Sequence, residues 1–127
     1  IFATDHAPHT AATKAHGFSN AAFGVIGLET AVGVTWRVMV AEAGMRVTDW
    51  VARWTAGPAA LLGQPSPTLA TGVLADLTLI DTRVPWLADP GAFRSLSRNT
   101  PFTGWSLPAR TVLTVCQGRT TFCDIHS

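Results

Sequence analysis

The most informative stretch of the sequence is Ala3-Thr4-Asp5-His6-Ala7-Pro8-His9-Thr10, close to the first residue. It overlaps a short apolar, β-prone run, Ile1–Thr4, which predicts the end of a buried strand. Pro8 blocks further ladder pairing because it has no amide hydrogen. The motif therefore predicts one carboxylate and two imidazoles at the point where a strand gives way to a loop.

Asp5 follows the predicted strand directly. In a parallel α/β barrel the carboxyl ends of the strands build the active site, where a carboxylate ligates a metal or acts as a general base. His6 and His9 lie within four residues, and imidazoles serve as ligands, proton shuttles or anion donors. His9 lies too far along the loop to share a metal comfortably with Asp5, so it is better placed to bind an anionic substrate. The alternative is a capped turn with surface histidines.

This set of side chains favours metal-assisted hydrolysis. A divalent metal lowers the pKa of its bound water toward about 7, and Asp5 accepts the proton and returns it to a leaving nitrogen. An open zinc site usually has three protein ligands, and no His-x-His pair completes one here. His16 and His126 are isolated, and we interpret them as loop and tail residues. The sequence thus predicts only part of a metal site.

The middle of the chain predicts a long loop followed by two helices. Residues 10–27 predict a loop of functional length, such as a lid. Apolar spacing predicts one helix over 28–43, stopped by a glycine. A second helix is predicted after the cap Thr48, split or kinked at Pro58 and ending at Gly63. Both helices are expected to pack an apolar face against a core.

The second half predicts a small β module. Residues 64–67 resemble a linker. The β-prone runs that follow are Ala75–Asp81, Thr111–Cys116 and Thr120–Ile125. Gln117 and Gly118-Arg119 predict the hairpin turn between the last two runs. Cys116 and Cys123 are interpreted as packed strand residues and not as a disulfide.

The composition excludes several classes of protein. The 127 residues are 47% hydrophobic and 13% charged, too apolar for a disordered segment, and no run of about 18 apolar residues predicts a membrane span. A net charge of +1 without a basic cluster argues against nucleic acid as a partner. Two cysteines and no signal pattern favour a reduced, cytoplasmic protein. The first residue, Ile1, predicts a C-terminal piece of a longer chain.

The motif around Asp5 and a second run, Phe23-Gly24-Val25-Ile26-Gly27-Leu28-Glu29-Thr30, together resemble the C-terminal signature of the dihydroorotases in the amidohydrolase superfamily. The resemblance continues through Ala75-Asp76-Leu77 and Asn99-Thr100-Pro101-Phe102-Thr103-Gly104 to the strand pair around Gly118-Arg119. It therefore covers nearly the whole chain.

The resemblance implies an α/β fold class, the C-terminal portion of a (β/α)8 TIM barrel plus part of a small β-sandwich. Residues 1–66 would supply the last barrel strand, the active-site loop and the C-terminal barrel helices, and residues 67–127 the β-sandwich part. The implied reaction is the reversible, zinc-dependent hydrolysis of (S)-dihydroorotate to N-carbamoyl-L-aspartate in pyrimidine (UMP) biosynthesis, with one or two Zn²⁺ per site. The implied partners are that small-molecule substrate, a second copy in a homodimer, and aspartate transcarbamoylase.

The resemblance also implies roles for individual residues. Asp5 matches a zinc ligand that is also the proton-shuttling acid/base. His9 matches the histidine that binds the substrate carboxylate, and Phe23 and Gly24 match a loop whose backbone contacts the pyrimidine ring. Lys14 matches a recurrent loop lysine without an assigned role. His6 beside Asp5 is expected to support the site without binding the metal.

Three alternatives stay open. One is a different cyclic amidohydrolase, of the hydantoinase or allantoinase type, whose substrate lacks the ring carboxylate that His9 is expected to bind. The second is an inactive dihydroorotase-like scaffold of aspartate transcarbamoylase, against which the intact Asp5 and His9 argue. The third is that the 127 residues alone are an incomplete and inactive piece, because the family's other metal ligands would precede Ile1.

Overall fold

The structure, a computed structural model, describes residues 1–125, so His126 lies outside the described residues. Its α-helices are α1 (Ala11–Lys14), α2 (Ala31–Thr35), α3 (Val47–Trp54) and α4 (Ala56–Leu61). Its strands are β1 (Leu77–Asp81), β2 (Trp86–Leu87), β3 (Ser106–Leu107), β4 (Arg110–Cys116) and β5 (Arg119–Cys123). Within this range no helix is long and apolar enough to cross a membrane.

The first predicted helix is shorter than expected and changes type along its length. It begins at Ala31, and from Trp36 to Glu42 it continues as a π-helix. The amide of Ala43 accordingly reaches back five residues, to the carbonyl of Val38, at 3.0 Å. Gly44, with φ +71°, follows as the glycine stop that the sequence predicts.

The second predicted helix is split, as expected, but the break comes earlier than Pro58. Thr55 interrupts it with φ −125° and ψ −87°, and Pro58 lies in the first turn of α4. A proline ring clashes with the carbonyl four residues back, here that of Trp54, so the helix cannot run through. The predicted cap at Thr48 is wrong. Thr48 lies inside α3, and the residue at the cap position is Arg46, without a side-chain cap bond.

Aromatic side chains pack the helices together. Trp50 of α3 is buried, and its indole Nε1 donates to Thr35 Oγ1 at 3.1 Å. Its ring lies edge-on to Trp36 at 5.2 Å and to Trp54 at 6.3 Å. Phe2 packs against Trp54 at 5.2 Å. The apolar faces predicted for both helices therefore meet one another around Trp50.

The β-rich half contains two antiparallel sheets. The larger has the order β1-β4-β5, and β2 pairs with β3 in the smaller one. The predicted strand regions are confirmed with shifted ends, whereas β2 and β3 were not predicted. Gln117 and Gly118 form the β4–β5 turn with φ of +48° and +75°, as a two-residue hairpin turn requires. Cys116 and Cys123 are free and exposed, so their predicted packing is wrong.

The first residues form no strand ladder. Phe2 donates its amide to the carbonyl of Arg53 on a helix at 3.1 Å, and Ile1 is exposed. A strand needs a neighbouring strand, and the described chain places none beside Ile1–Thr4. An isolated parallel bridge instead joins His6 to Val25. The predicted loop 10–27 also differs, because Thr10 caps the single helical turn α1 within it.

Gly33 of α2 connects the helices to the β-rich half. A Cβ built on Gly33 would lie 2.9 Å from both the carbonyl oxygen of Ala109 and the Cβ of Leu107. Leu107 is fully buried and belongs to a core cluster with Ile26 and Phe93. The helix can approach β3 this closely only because residue 33 has no side chain.

We expect Gly33→Ala to destabilise the complete gene product that contains this sequence. Alanine gains about 1 kcal/mol of helix propensity over glycine, but overpacking against fixed backbone costs about 1–3 kcal/mol. The midpoint of thermal unfolding should therefore fall. A higher midpoint would contradict the close contact between α2 and β3.

Candidate active site

Asp5 has an unusual backbone conformation at the centre of the motif. Its φ is +43°, one of two positive values among the non-glycine residues described, and its side chain is exposed. Asp adopts this left-handed region more readily than most residues, yet the conformation still carries strain. No ion pair or hydrogen bond within residues 1–125 engages the carboxylate. The carboxylate of Asp5 is therefore exposed and available to bind a ligand.

His6 is anchored by the start of the segment before α2. Its Nδ1 accepts from the amides of Gly27 at 3.1 Å and Leu28 at 3.3 Å. A nitrogen that accepts two N–H groups carries no proton, so the neutral ring bears its hydrogen on Nε2. Beside it, the amide of Ala7 donates to the carbonyl of Val25 at 2.9 Å. His6 thus connects the loop that carries Asp5 and His9 to the segment that precedes α2.

His9 contacts the second predicted segment directly. Its Nε2 lies 2.6 Å from the carbonyl oxygen of Phe23, and because a carbonyl only accepts, Nε2–H is the donor. Phe23 is 91% exposed, and its backbone carbonyl, not its side chain, makes the contact. The structure therefore brings together three of the predicted residues, His9, Phe23 and Gly24, although 14 positions separate the first two.

Gly24 requires glycine for two separate reasons. Its φ is +101°, a region that other residues rarely adopt. A Cβ at this position would also overlap the Cβ of Ala7 and lie 3.8 Å from His9 Nε2. The loop carrying Phe23 and Gly24 can therefore lie against the loop carrying Ala7 and His9 only with a bare backbone at residue 24.

Lys14 closes the intervening loop on itself. Its half-buried ammonium group donates to the carbonyl of Ala22 at 2.8 Å and to that of Gly24 at 3.2 Å. Sequence reasoning assigned no role to this lysine. The structure gives it one, which is to hold the ends of residues 14–24 together.

A segment of the β-rich half, residues 94–99, contributes further contacts. The carboxylate of Glu29 accepts from the amides of Arg94 at 2.8 Å and Ser95 at 3.0 Å. Ser97 Oγ donates to the carbonyl of His9, and Asn99 bonds both loops of the site. Sequence reasoning missed these residues as members of the site. The only signal in the sequence for this segment was the run that begins at Asn99, which is part of the resemblance to dihydroorotases.

The described residues do not by themselves hold a metal. No group of three or more His, Cys, Asp or Glu side chains within residues 1–125 is arranged as a metal site. His6 has one nitrogen occupied by two amides, and His9 points its Nε2 at a carbonyl. The exposed carboxylate of Asp5 fits a zinc ligand, but a single ligand does not make a zinc site.

Two open clefts lie along β4, away from these residues, and Arg110 and Asp124 border both of them. Neither cleft is lined by Asp5, His9, Phe23 or Gly24. Because Asp5 and Phe23 are exposed, the candidate site lies at the surface of the described chain.

Comparisons with known proteins identify the family. Residues 1–121 match the model of the Amidohydrolase family, and the chain belongs to that family. The dihydroorotase of Syntrophotalea carbinolica is 46% identical over 122 residues, which cover 96% of this chain and 28% of that protein. The dihydroorotase of Pelotomaculum thermopropionicum is 42% identical over 124 residues, 98% of this chain and 29% of that protein. The predicted resemblance is thereby confirmed, and the chain spans somewhat over a quarter of the length of these relatives.

A solved structure supports the fold. The D-hydantoinase (dihydropyrimidinase) from Thermus sp. superposes with a TM-score of 0.82 at 20% identity, covering 94% of this chain and 27% of that one. At this identity the similarity establishes the shared fold alone. The mixed helix and sheet arrangement of residues 1–125 is thus one found in amidohydrolases.

We expect Lys14→Met in the complete gene product to loosen residues 15–24. Two hydrogen bonds from a charged donor would be lost, each worth about 1.5–3 kcal/mol. Amide hydrogen exchange in peptides from this loop should become about tenfold faster or more. Arg119→Met, which removes an exposed cation from β5, is the matched control. Equal exchange in both variants would refute the role of Lys14.

Proposed function

We propose that this chain supplies part of the active site of a dihydroorotase. The reaction is the zinc-dependent, reversible hydrolysis of (S)-dihydroorotate to N-carbamoyl-L-aspartate in pyrimidine (UMP) biosynthesis. The observation that carries the proposal is the contact of His9 with the Phe23 carbonyl beside Gly24, close in sequence to the strained Asp5. The relatives that bear the name dihydroorotase support it, since they match over nearly the whole chain.

Asp5 is the proposed general acid/base and one of the metal ligands. Its carboxylate is exposed and has no competing ion pair in the part of the chain described. Such a group can take a proton from the attacking water and deliver it to the ring nitrogen that leaves. Zinc, one or two ions per site with its other ligands outside these residues, would supply Lewis acidity when bound. The carboxylate itself moves the proton.

His9 is proposed to bind the carboxylate of the substrate. Its Nε2 is occupied by the Phe23 carbonyl, so Nδ1 is the nitrogen left to face a ligand. When both nitrogens carry hydrogen, the ring keeps the Phe23 contact and donates a charge-assisted bond from Nδ1 to an anion. The backbone of Phe23 and Gly24, held in place by the same ring, is proposed to contact the pyrimidine ring.

The proposed partners follow from this reaction. Dihydroorotate and N-carbamoyl-L-aspartate are the small-molecule substrates. A second copy of the protein and aspartate transcarbamoylase are the macromolecular partners that the resemblance implies. We propose a cytoplasmic location, because two cysteines in 127 residues are few for a secreted disulfide scaffold.

A hydantoinase-type amidohydrolase is the second candidate. It is compatible with the fold shared with the D-hydantoinase from Thermus sp., at a TM-score of 0.82. The two candidates differ in the substrate carboxylate, which a simple hydantoin or dihydrouracil ring lacks. Only the first gives His9 an anion to bind.

We expect Asp5→Asn to reduce kcat for dihydroorotate by at least about 10²–10⁴-fold in the complete gene product, because the proposed general base, which is also a proposed metal ligand, is lost. Asparagine adopts positive φ as readily as aspartate, so the backbone should be preserved. Asp49→Asn, which removes an exposed carboxylate from α3, is the control. Wild-type turnover by the Asp5 variant would refute the assignment.

We expect His9→Ala to raise KM for dihydroorotate about 10–100-fold, because a hydrogen bond to a charged group is lost. The internal control is dihydrouracil, a ring without the carboxylate. General disturbance of the loops should affect both rings equally, whereas loss of a carboxylate contact should affect dihydroorotate alone. Faster wild-type turnover of dihydrouracil or hydantoin than of dihydroorotate would favour the second candidate.

A further inference from the structure

Asn99 makes three hydrogen bonds to the backbone of the candidate site. Its Oδ1 accepts from the amide of His9 at 3.2 Å. Its Nδ2 donates to the carbonyl of Ala7 at 3.0 Å and to that of Gly24 at 3.2 Å. A single side chain therefore holds residues 7–9 and residue 24 in a fixed relation.

The hydrogen-bonding capacity of this amide is matched to its surroundings. Both Nδ2 hydrogens face carbonyl oxygens, and Oδ1 faces an N–H group. A flipped amide would place Oδ1 against the carbonyls of Ala7 and Gly24 and Nδ2 against the His9 amide. Only one orientation of the amide satisfies all three partners. The side chain is therefore required for its hydrogen bonds and not only for its volume.

Contacts on either side of Asn99 strengthen the same connection. The backbone carbonyl of Asn99 accepts from the amide of Ile26 at 3.1 Å. Ser97 Oγ donates to the carbonyl of His9, and Glu29 holds the amides of Arg94 and Ser95. The segment 94–99 thus lies bonded along both loops, and Asn99 is the member that reaches His9, Ala7 and Gly24 at once.

We propose that Asn99 is a positioning residue for substrate binding. It fixes the distance between His9, which is proposed to bind the substrate carboxylate, and the Phe23–Gly24 backbone, which is proposed to contact the ring. Asn99 acts through these groups and contacts no substrate itself. This inference rests on the proposed function for its substrate, and on the three hydrogen bonds for its geometry.

The test compares Asn99→Ala, Asn99→Asp and Gln64→Ala in the complete gene product. Aspartate preserves the volume of the side chain but replaces two donors with an oxygen that faces two carbonyls. Gln64→Ala removes an exposed amide just beyond α4 and is the control. The measurements are kcat and KM for dihydroorotate, the midpoint of thermal unfolding, and amide exchange in peptides covering residues 6–10 and 24–28.

We expect both Asn99 variants to raise KM about tenfold or more while kcat changes much less. Exchange at the amide of His9 should become faster in Asn99→Ala, because its acceptor is gone. Wild-type KM in Asn99→Asp would overturn the proposal, since volume alone would then suffice. A lower unfolding midpoint with proportionate loss of kcat and no selective rise in KM would also overturn it.

Failure of the proposed function would be visible separately. A wild-type protein that does not turn over dihydroorotate refutes the proposed substrate, whatever the Asn99 variants do. The amide exchange measurement then still tests whether Asn99 holds the two loops together. Faster exchange in residues 6–10 and 24–28 upholds Asn99 as the connector of the two loops, and unchanged exchange overturns it.

Discussion

The two loops of the candidate site approach so closely that a side chain at residue 24 would overlap the Cβ of Ala7. The polar backbone groups where the two loops meet are paired with neighbouring donors and acceptors, as is usual for folded backbone. Three side chains supply hydrogen-bond donors and acceptors to this backbone. His6 accepts two amides, His9 donates to the Phe23 carbonyl, and Lys14 supplies an ammonium group to the carbonyl of Gly24.

This constraint explains why the site depends on distant parts of the chain. Local contacts hold residues 14–24 in a closed loop, and the bond from His9 to the Phe23 carbonyl joins that loop to the motif. The segment 94–99 adds further bonds across the same junction, through Glu29 on one side and Asn99 on the other. The buried contact of Gly33 with Leu107 and Ala109 joins the same two halves near the core. In the proposed function, the β-rich half positions the site and supplies no reacting group.

Sequence reasoning succeeded where a local signal exists. The β4–β5 turn follows from Gly118, and the division of the second helix follows from Pro58. It failed where the cause is non-local or very short. Strands β2 and β3 have two residues each, too few to show a period. Asn99 bonds partners 92 and 75 positions away, which no spacing rule detects. Asp5 could be singled out by its place in the motif, but its positive φ could not.

In the proposed function, His9 and the Phe23–Gly24 backbone form one surface for an anionic ring, with Asp5 at the reacting bond. A crystal structure of the complete gene product with zinc and dihydroorotate would test this arrangement. We expect an Asp5 oxygen about 2.0–2.2 Å from the metal. We also expect His9 Nδ1 within hydrogen-bond distance of the ring carboxylate while Nε2 stays on the Phe23 carbonyl. A ring bound with its carboxylate away from His9, or a metal site that excludes Asp5, would contradict it.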